Sequence, residues 1–169
     1  MHWIFGAAAC ALAVVSASPL AAEEAADARL AELADSYYDY QLEQFGLTEN
    51  ANGSTERGAS LWSVTPGAQR ARAAHYVEYL SELEAIDRSA LGAKGRTDAL
   101  VLRTLLEAEI GDARFAEWEM PFDSDSNFWS YLAPRGGFTT AEEYHNYIGR
   151  MRDIPRYFAE QTALSLIHI

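Results

Sequence analysis

Apolar side chains in this chain recur at the three- and four-residue spacing of helices, and over residues 97–110 they cover most of a helical circumference. Nowhere do they alternate over a useful length, as a half-buried strand requires. The pattern predicts an all-α fold: antiparallel helices with an irregular aromatic-rich connection. A first helix is expected over 27–45, with Leu30, Leu33, Ala34, Tyr37 and Phe45 on its inner face and Gly46 placed to cap its end. Residues 47–63 read as a polar loop around the turn signal Asn52-Gly53. Thr65-Pro66 opens a second helix, along which Ala73, Tyr76, Val77, Leu80 and Leu83 follow helical spacing. Gly92 and Gly95 mark the break before the third helix, expected over 97–110 and, being apolar nearly all round, expected to be the best buried. Thr139-Thr140-Ala141-Glu142-Glu143 offers two overlapping capping boxes for a fourth helix. Asp153-Ile154-Pro155 then reads as a kink or a new start.

The ends differ from the middle. Trp3 to Val15 is an unbroken run of apolar and small residues followed by small residues around Pro19, the pattern of a secretory signal cut after Ala22. The expectation is an exported protein, periplasmic or secreted, with no membrane attachment once the signal is gone; the run is short for a membrane span. A lipoprotein at Cys10 is the less favoured reading, because Ala7-Ala8-Ala9-Cys10 lacks the usual Leu. Cys10 is the sole cysteine, so its removal leaves no disulfide, no Cys-ligated zinc and no Cys nucleophile. Leu164-Ser165-Leu166-Ile167-His168-Ile169 reads either as a short apolar tail packed on the body or, the favoured reading, as translated sequencing adapter, which divides the chain into a signal (1–22), a truncated helical region (23–163) and a non-native tail (164–169). The 25 Asp+Glu against 13 Lys+Arg, a net charge of −12, exclude nucleic acid as a partner.

Motifs for chemistry are incomplete. Glu142-x-x-His145 is a single copy of a pattern that helical di-iron sites use twice with two further Glu, and His75-x-x-Glu78 has the reverse order. Asp123-Ser124-Asp125-Ser126-Asn127 starts like a calcium loop, but Phe128 replaces the required Gly and Pro134 the bidentate Glu. No catalytic, cofactor-binding or metal-ligating residue is assigned. The aromatic and acidic segment 115–131 is the suggestive one: Trp118, Asn127 and Trp129 are candidate walls of a groove, against the alternative that its aromatics fill core.

Phe115-Ala116-Glu117-Trp118-Glu119-Met120-Pro121-Phe122, Leu83-Glu84-Ala85-Ile86-Asp87 and the stretch from Ala141 to Phe158, with Gly149-Arg150-Met151-Arg152-Asp153-Ile154-Pro155-Arg156 at its centre, resemble the bacterial domain-of-unknown-function 885 family. The resemblance covers about residues 27–163. It implies an exported, largely helical protein similar to zinc metallopeptidases and several times longer than this chain. In that family's His-Glu-x-x-Pro-Gly-His motif two His bind zinc and the Glu acts as general base on zinc-bound water; the motif is not among these residues. The resemblance therefore implies zinc for the intact protein and none here, with this chain an amino-terminal fragment inactive alone. Its partners would be the missing carboxy-terminal part and a peptide substrate, and its helices would form a wall of the substrate cleft. The alternative is a self-contained exported helical binding module using 115–131 as its site; a metal-binding helical bundle is a weaker third reading. As a fragment, the segment is expected to leave apolar helix faces exposed and to be poorly stable alone.

Overall fold

A computed structural model describes residues 18–49, 55–119 and 137–165. Among them α1 spans Pro19–Gln44, α2 Pro66–Glu84, α3 Ala93–Arg114 and α4 Ala141–Ser165, with a 3-10 turn at Glu117–Glu119. The fold is mainly α. It is not wholly α, because β1 (Leu47–Glu49) and β2 (Thr55–Arg57) pair antiparallel, Leu47 opposite Arg57 and Glu49 opposite Thr55. Residues 47–63 are thus not the polar loop expected of them. Three-residue strands are too short to show alternation. Their register is held from outside: the Gly58 amide donates to the Gly46 carbonyl at 2.8 Å, and Arg150 Nη1 on α4 donates to the Arg57 and Gly58 carbonyls, each at 2.7 Å. Asn52-Gly53 lies outside the described residues.

The helix ends follow local chemistry, with three corrections. α1 begins at Pro19 rather than Asp27, with the Ser18 hydroxyl accepting from the Ala21 amide at 3.3 Å, and so runs through the position of the expected cut after Ala22. Gly46, at φ 60°, ends it in the left-handed region that favours glycine. Thr65 caps α2 as expected, accepting from Ala68 N at 3.3 Å. Of the two overlapping capping boxes, Thr140–Glu143 forms: Thr140 Oγ1 accepts from Glu143 N at 3.1 Å and Glu143 Oε2 from Thr140 N at 3.3 Å. Gly95 is not part of a break. It lies buried inside α3, where a Cβ would collide with the Asp27 carboxylate. Asp27 in turn accepts from the Gly92 amide at 3.1 Å, supplying from α1 the acceptor and negative charge that the α3 N-terminus lacks. Pro155 neither stops nor restarts a helix; α4 passes through it. The proline is exposed, and it supplies no amide to the Met151 carbonyl one turn earlier.

Two separate cores result. The first joins α1, α2 and α3 around Leu30, Leu33, Tyr76, Leu83, Leu102 and Leu106, the last with no exposed surface. α3 buries only one stripe here. Leu100 and Val101, each 54% exposed, and Leu105, 48% exposed, form an apolar row on its other face, so the all-round burial expected of this helix is not met within the described residues. The second core joins Leu61 and Val64 to Tyr157 and Leu164 of α4, with Trp62, Trp118 and Ile154 packed against it. Leu164, the first residue of the segment 164–169, is a buried helical residue; residues 166–169 lie outside the described residues.

Polar side chains tie segment 58–64 to α4. Arg156 donates to both oxygens of Asp153, at 2.8 and 2.6 Å, to Glu160 Oε1 at 2.5 Å and to the Leu61 carbonyl at 2.8 Å. Asp153 Oδ2 accepts from Leu61 N at 2.8 Å and Glu160 Oε2 from Val64 N at 2.9 Å. A Cβ at Gly149 would fall 2.6 Å from the Ala59 carbonyl oxygen, so the close approach of the two segments requires glycine there. The Arg156 guanidinium and the Leu61 amide hold the Asp153 carboxyl below its ordinary range against a smaller effect of burial. Burial pushes Glu160 up, but the Val64 amide and Arg156 outweigh it and leave Glu160 low as well. Depressed carboxylates stabilise the folded state above their unfolded pKa, and that contribution is lost as pH falls through the folded values. The Leu61 and Val64 amides should therefore lose hydrogen-exchange protection below about pH 4 while Leu102 and Leu106 keep theirs. Simultaneous loss at all four, after correction for intrinsic exchange, would contradict a pH-sensitive tether.

Candidate ligand-binding cleft

α2 carries Gln69, Arg72, Ala73 and Tyr76 at i, i+3, i+4 and i+7, one face of the helix. α3 carries Glu109, Asp112 and Ala113 on one face near its end. These faces meet around a cleft of about 230 Å³, closed at the sides by Phe45, Trp62, Glu117 and Trp118. Ala116, at φ 52°, turns the chain back after α3 and brings the 3-10 turn over the cleft. A left-handed alanine costs ~1 kcal/mol, and the packing of Trp118 against the second core opposes that cost.

Arg72 forms the floor. It is 6% exposed, donates from Nη2 to the Ser63 carbonyl at 3.0 Å and to Gln69 Oε1 at 2.8 Å, and lies 5.9 Å from the Phe45 ring centroid. Among the described residues it is in no ion pair. Tyr76 is 3% exposed, and its hydroxyl accepts from Gln41 Nε2 at 3.3 Å. Burial, with the Glu109 charge adding, pushes its hydroxyl up to about 12. Burial also raises the Glu109 carboxyl, reinforced by Asp112 and opposed by Arg72. Its sign is opposite to that of Asp153: ionised Glu109 subtracts stability, and acid restores it.

Of the three predicted groove residues, Trp118 stands on the cleft wall, while Asn127 and Trp129 lie outside the described residues. Groove and core are not alternatives for Trp118, because it lines the cleft and packs on the second core. Trp62, Arg72 and Glu109 were not anticipated as site residues. Only the polar members of the 69–72–73–76 row, interrupting an otherwise apolar face, could have signalled them. His145 and Glu142 stay exposed, with His145 Nδ1 2.6 Å from the Ala141 carbonyl. His75 pairs with Glu78 at 3.2 Å and its ring lies 4.8 Å from that of Tyr40. Among the described residues no group of three or more His, Cys, Asp and Glu could hold a metal ion, so they do not fit a zinc site. The segment 123–127 lies outside them. No described helix is long and apolar enough to cross a membrane.

The class defined by these features is a helical domain that presents an acidic, aromatic cleft to solvent. The family described as "Bacterial protein of unknown function (DUF885)" matches residues 43–166, and the chain belongs to it. The matched span includes every residue lining the cleft, the hairpin and α4. No curated protein and no solved structure matches the chain.

Proposed function

We propose that this helical unit forms one wall of the substrate cleft in an exported, zinc-dependent, peptidase-like protein, and that it binds peptide rather than cleaving it. The observation that carries the reading is the cleft itself, where Trp118 and Trp62 flank a half-buried carboxylate on α3. Aromatic walls with a few placed polar groups are the ordinary construction of a binding site. The apolar row Leu100, Val101 and Leu105 supports a larger protein, since such a row in the middle of a helix is stabilised by packing against another element. Among the described residues no group fits a zinc site; in this reading zinc belongs to a His-Glu-x-x-Pro-Gly-His motif of the intact protein, and no zinc-dependent step is given to these residues. Export, to the periplasm or beyond the cell, rests on reading residues 1–22 as a secretory signal.

Reading the genomic frame beyond Ile169 tests this. The expected result is continuation into a His-Glu-x-x-Pro-Gly-His motif; a stop codon in clean DNA directly after Ile169 would overturn it. A second reading, a self-contained exported binding module, is supported by a cleft to which α2, α3 and the Glu117–Glu119 turn of this chain all contribute lining residues. Both readings give the cleft the same task, to hold peptide.

A further inference from the structure

Glu109 is the group in the cleft that packing does not explain. It is half-buried on α3 beside Asp112, and no described residue hydrogen-bonds to its carboxylate. Arg72, the only cation among the described lining residues, directs Nη2 to neutral acceptors, the Ser63 carbonyl and Gln69. With Glu117 the described lining residues carry three carboxylates against one guanidinium. A desolvated carboxylate without a hydrogen-bonding partner destabilises the fold, and an incoming cation relieves it. The ring faces add to the same preference, because a cation over an indole is attracted by its quadrupole. Trp62 already receives the Arg57 guanidinium at 5.7 Å, which leaves Trp118 as the ring for a ligand. At about 230 Å³ the cleft is smaller than the ~300–1,000 Å³ of a pocket for a whole small molecule. That size suits a single side chain.

We propose that the cleft is a specificity pocket for a basic peptide side chain, whose ammonium or guanidinium group pairs with Glu109 and Asp112 and stacks on Trp118. The inference rests on the reading of the cleft as a peptide-binding surface. It adds what that surface selects.

Calorimetric titration of the full chain with two blocked tripeptides tests it, one with arginine at its centre and one with glutamine. The arginine peptide should bind about tenfold tighter or more, the worth of one charge-assisted hydrogen bond. Glu109→Gln should abolish that preference, and Asp112→Asn should reduce it. Trp118→Ala should weaken the arginine peptide about threefold to tenfold. Circular dichroism checks that each variant is folded, and Glu109→Gln removes a half-buried charge while keeping the side chain's size. Equal affinity for both peptides, still sensitive to Trp118→Ala, would overturn the basic specificity and leave the peptide cleft standing. Binding of neither peptide, or binding indifferent to all three substitutions, would overturn both.

Discussion

Tyr157→Ala should release α4 from the rest of the molecule while the α1–α3 bundle stays folded. Tyr157 is 1% exposed and meets Trp62 edge-on, with ring centroids 5.3 Å apart. Together with Leu61, Val64 and Leu164 it makes the second core, and no residue of α4 belongs to the first. Removing a buried aromatic ring costs ~3–5 kcal/mol, a large share of what so small a cluster can contribute. Hydrogen exchange should then show protection lost across α4 and residues 58–64 but kept in α3. A uniform loss over both cores would mean that they unfold as one unit. The cleft should fail with the tether, because Trp62 and Trp118 are packed against the second core as well as lining the cleft. Tyr157→Ala should thus lose peptide binding without any contact to the peptide.

Leu106→Ala should act on the other core and on the whole molecule. Leu106 has no exposed surface and sits on the buried stripe of α3 that packs against α1 and α2. Truncating a fully buried leucine costs ~2–5 kcal/mol, rising with the cavity left behind. In a chain of this size that lowers the melting temperature by roughly 5–15 °C. Leu105→Ala, one residue away but 48% exposed, should change stability by about 0.5 kcal/mol or less. Equal costs at 105 and 106 would mean that the exposed row of α3 is packed in solution. The pair of measurements separates the two faces of a helix whose sequence is apolar on both.

Local chemistry and tertiary context divide the chain cleanly. Thr65 with Pro66, Gly46 and the Thr140–Glu143 box act over three or four residues, and each does in the structure what its spacing predicts. Trp118, singled out in the sequence as an aromatic among acids at a chain irregularity, lines the cleft. The hairpin and the burial of Leu61, Trp62 and Val64 were not. A short irregular segment has no period to read, and this one is anchored by Asp153, Arg156 and Glu160 of α4; Asp153 reaches Leu61 across 92 residues of sequence. Those anchors also account for Asp153-Ile154-Pro155-Arg156. Read locally, it is a helix break; in the fold, it is the clamp on the 58–64 segment.

The sequence by itself determined the helical class, the capped ends at Gly46, Thr65-Pro66 and Thr140–Glu143, and the family, because periodicity, caps and a contiguous motif are properties of neighbouring residues. It could not determine which face of α3 is covered, that α4 continues through Pro155, or that Arg72 and Glu109 share a cleft. Those were decided by tertiary packing. Both sides of α3 carry large apolar residues, and the positions of α1 and α2 select the Leu102–Leu106 stripe over Leu100, Val101 and Leu105. Arg72 and Glu109 are polar residues at helical spacing, and what gives them a role is the loss of water when two helices and a tryptophan close around them.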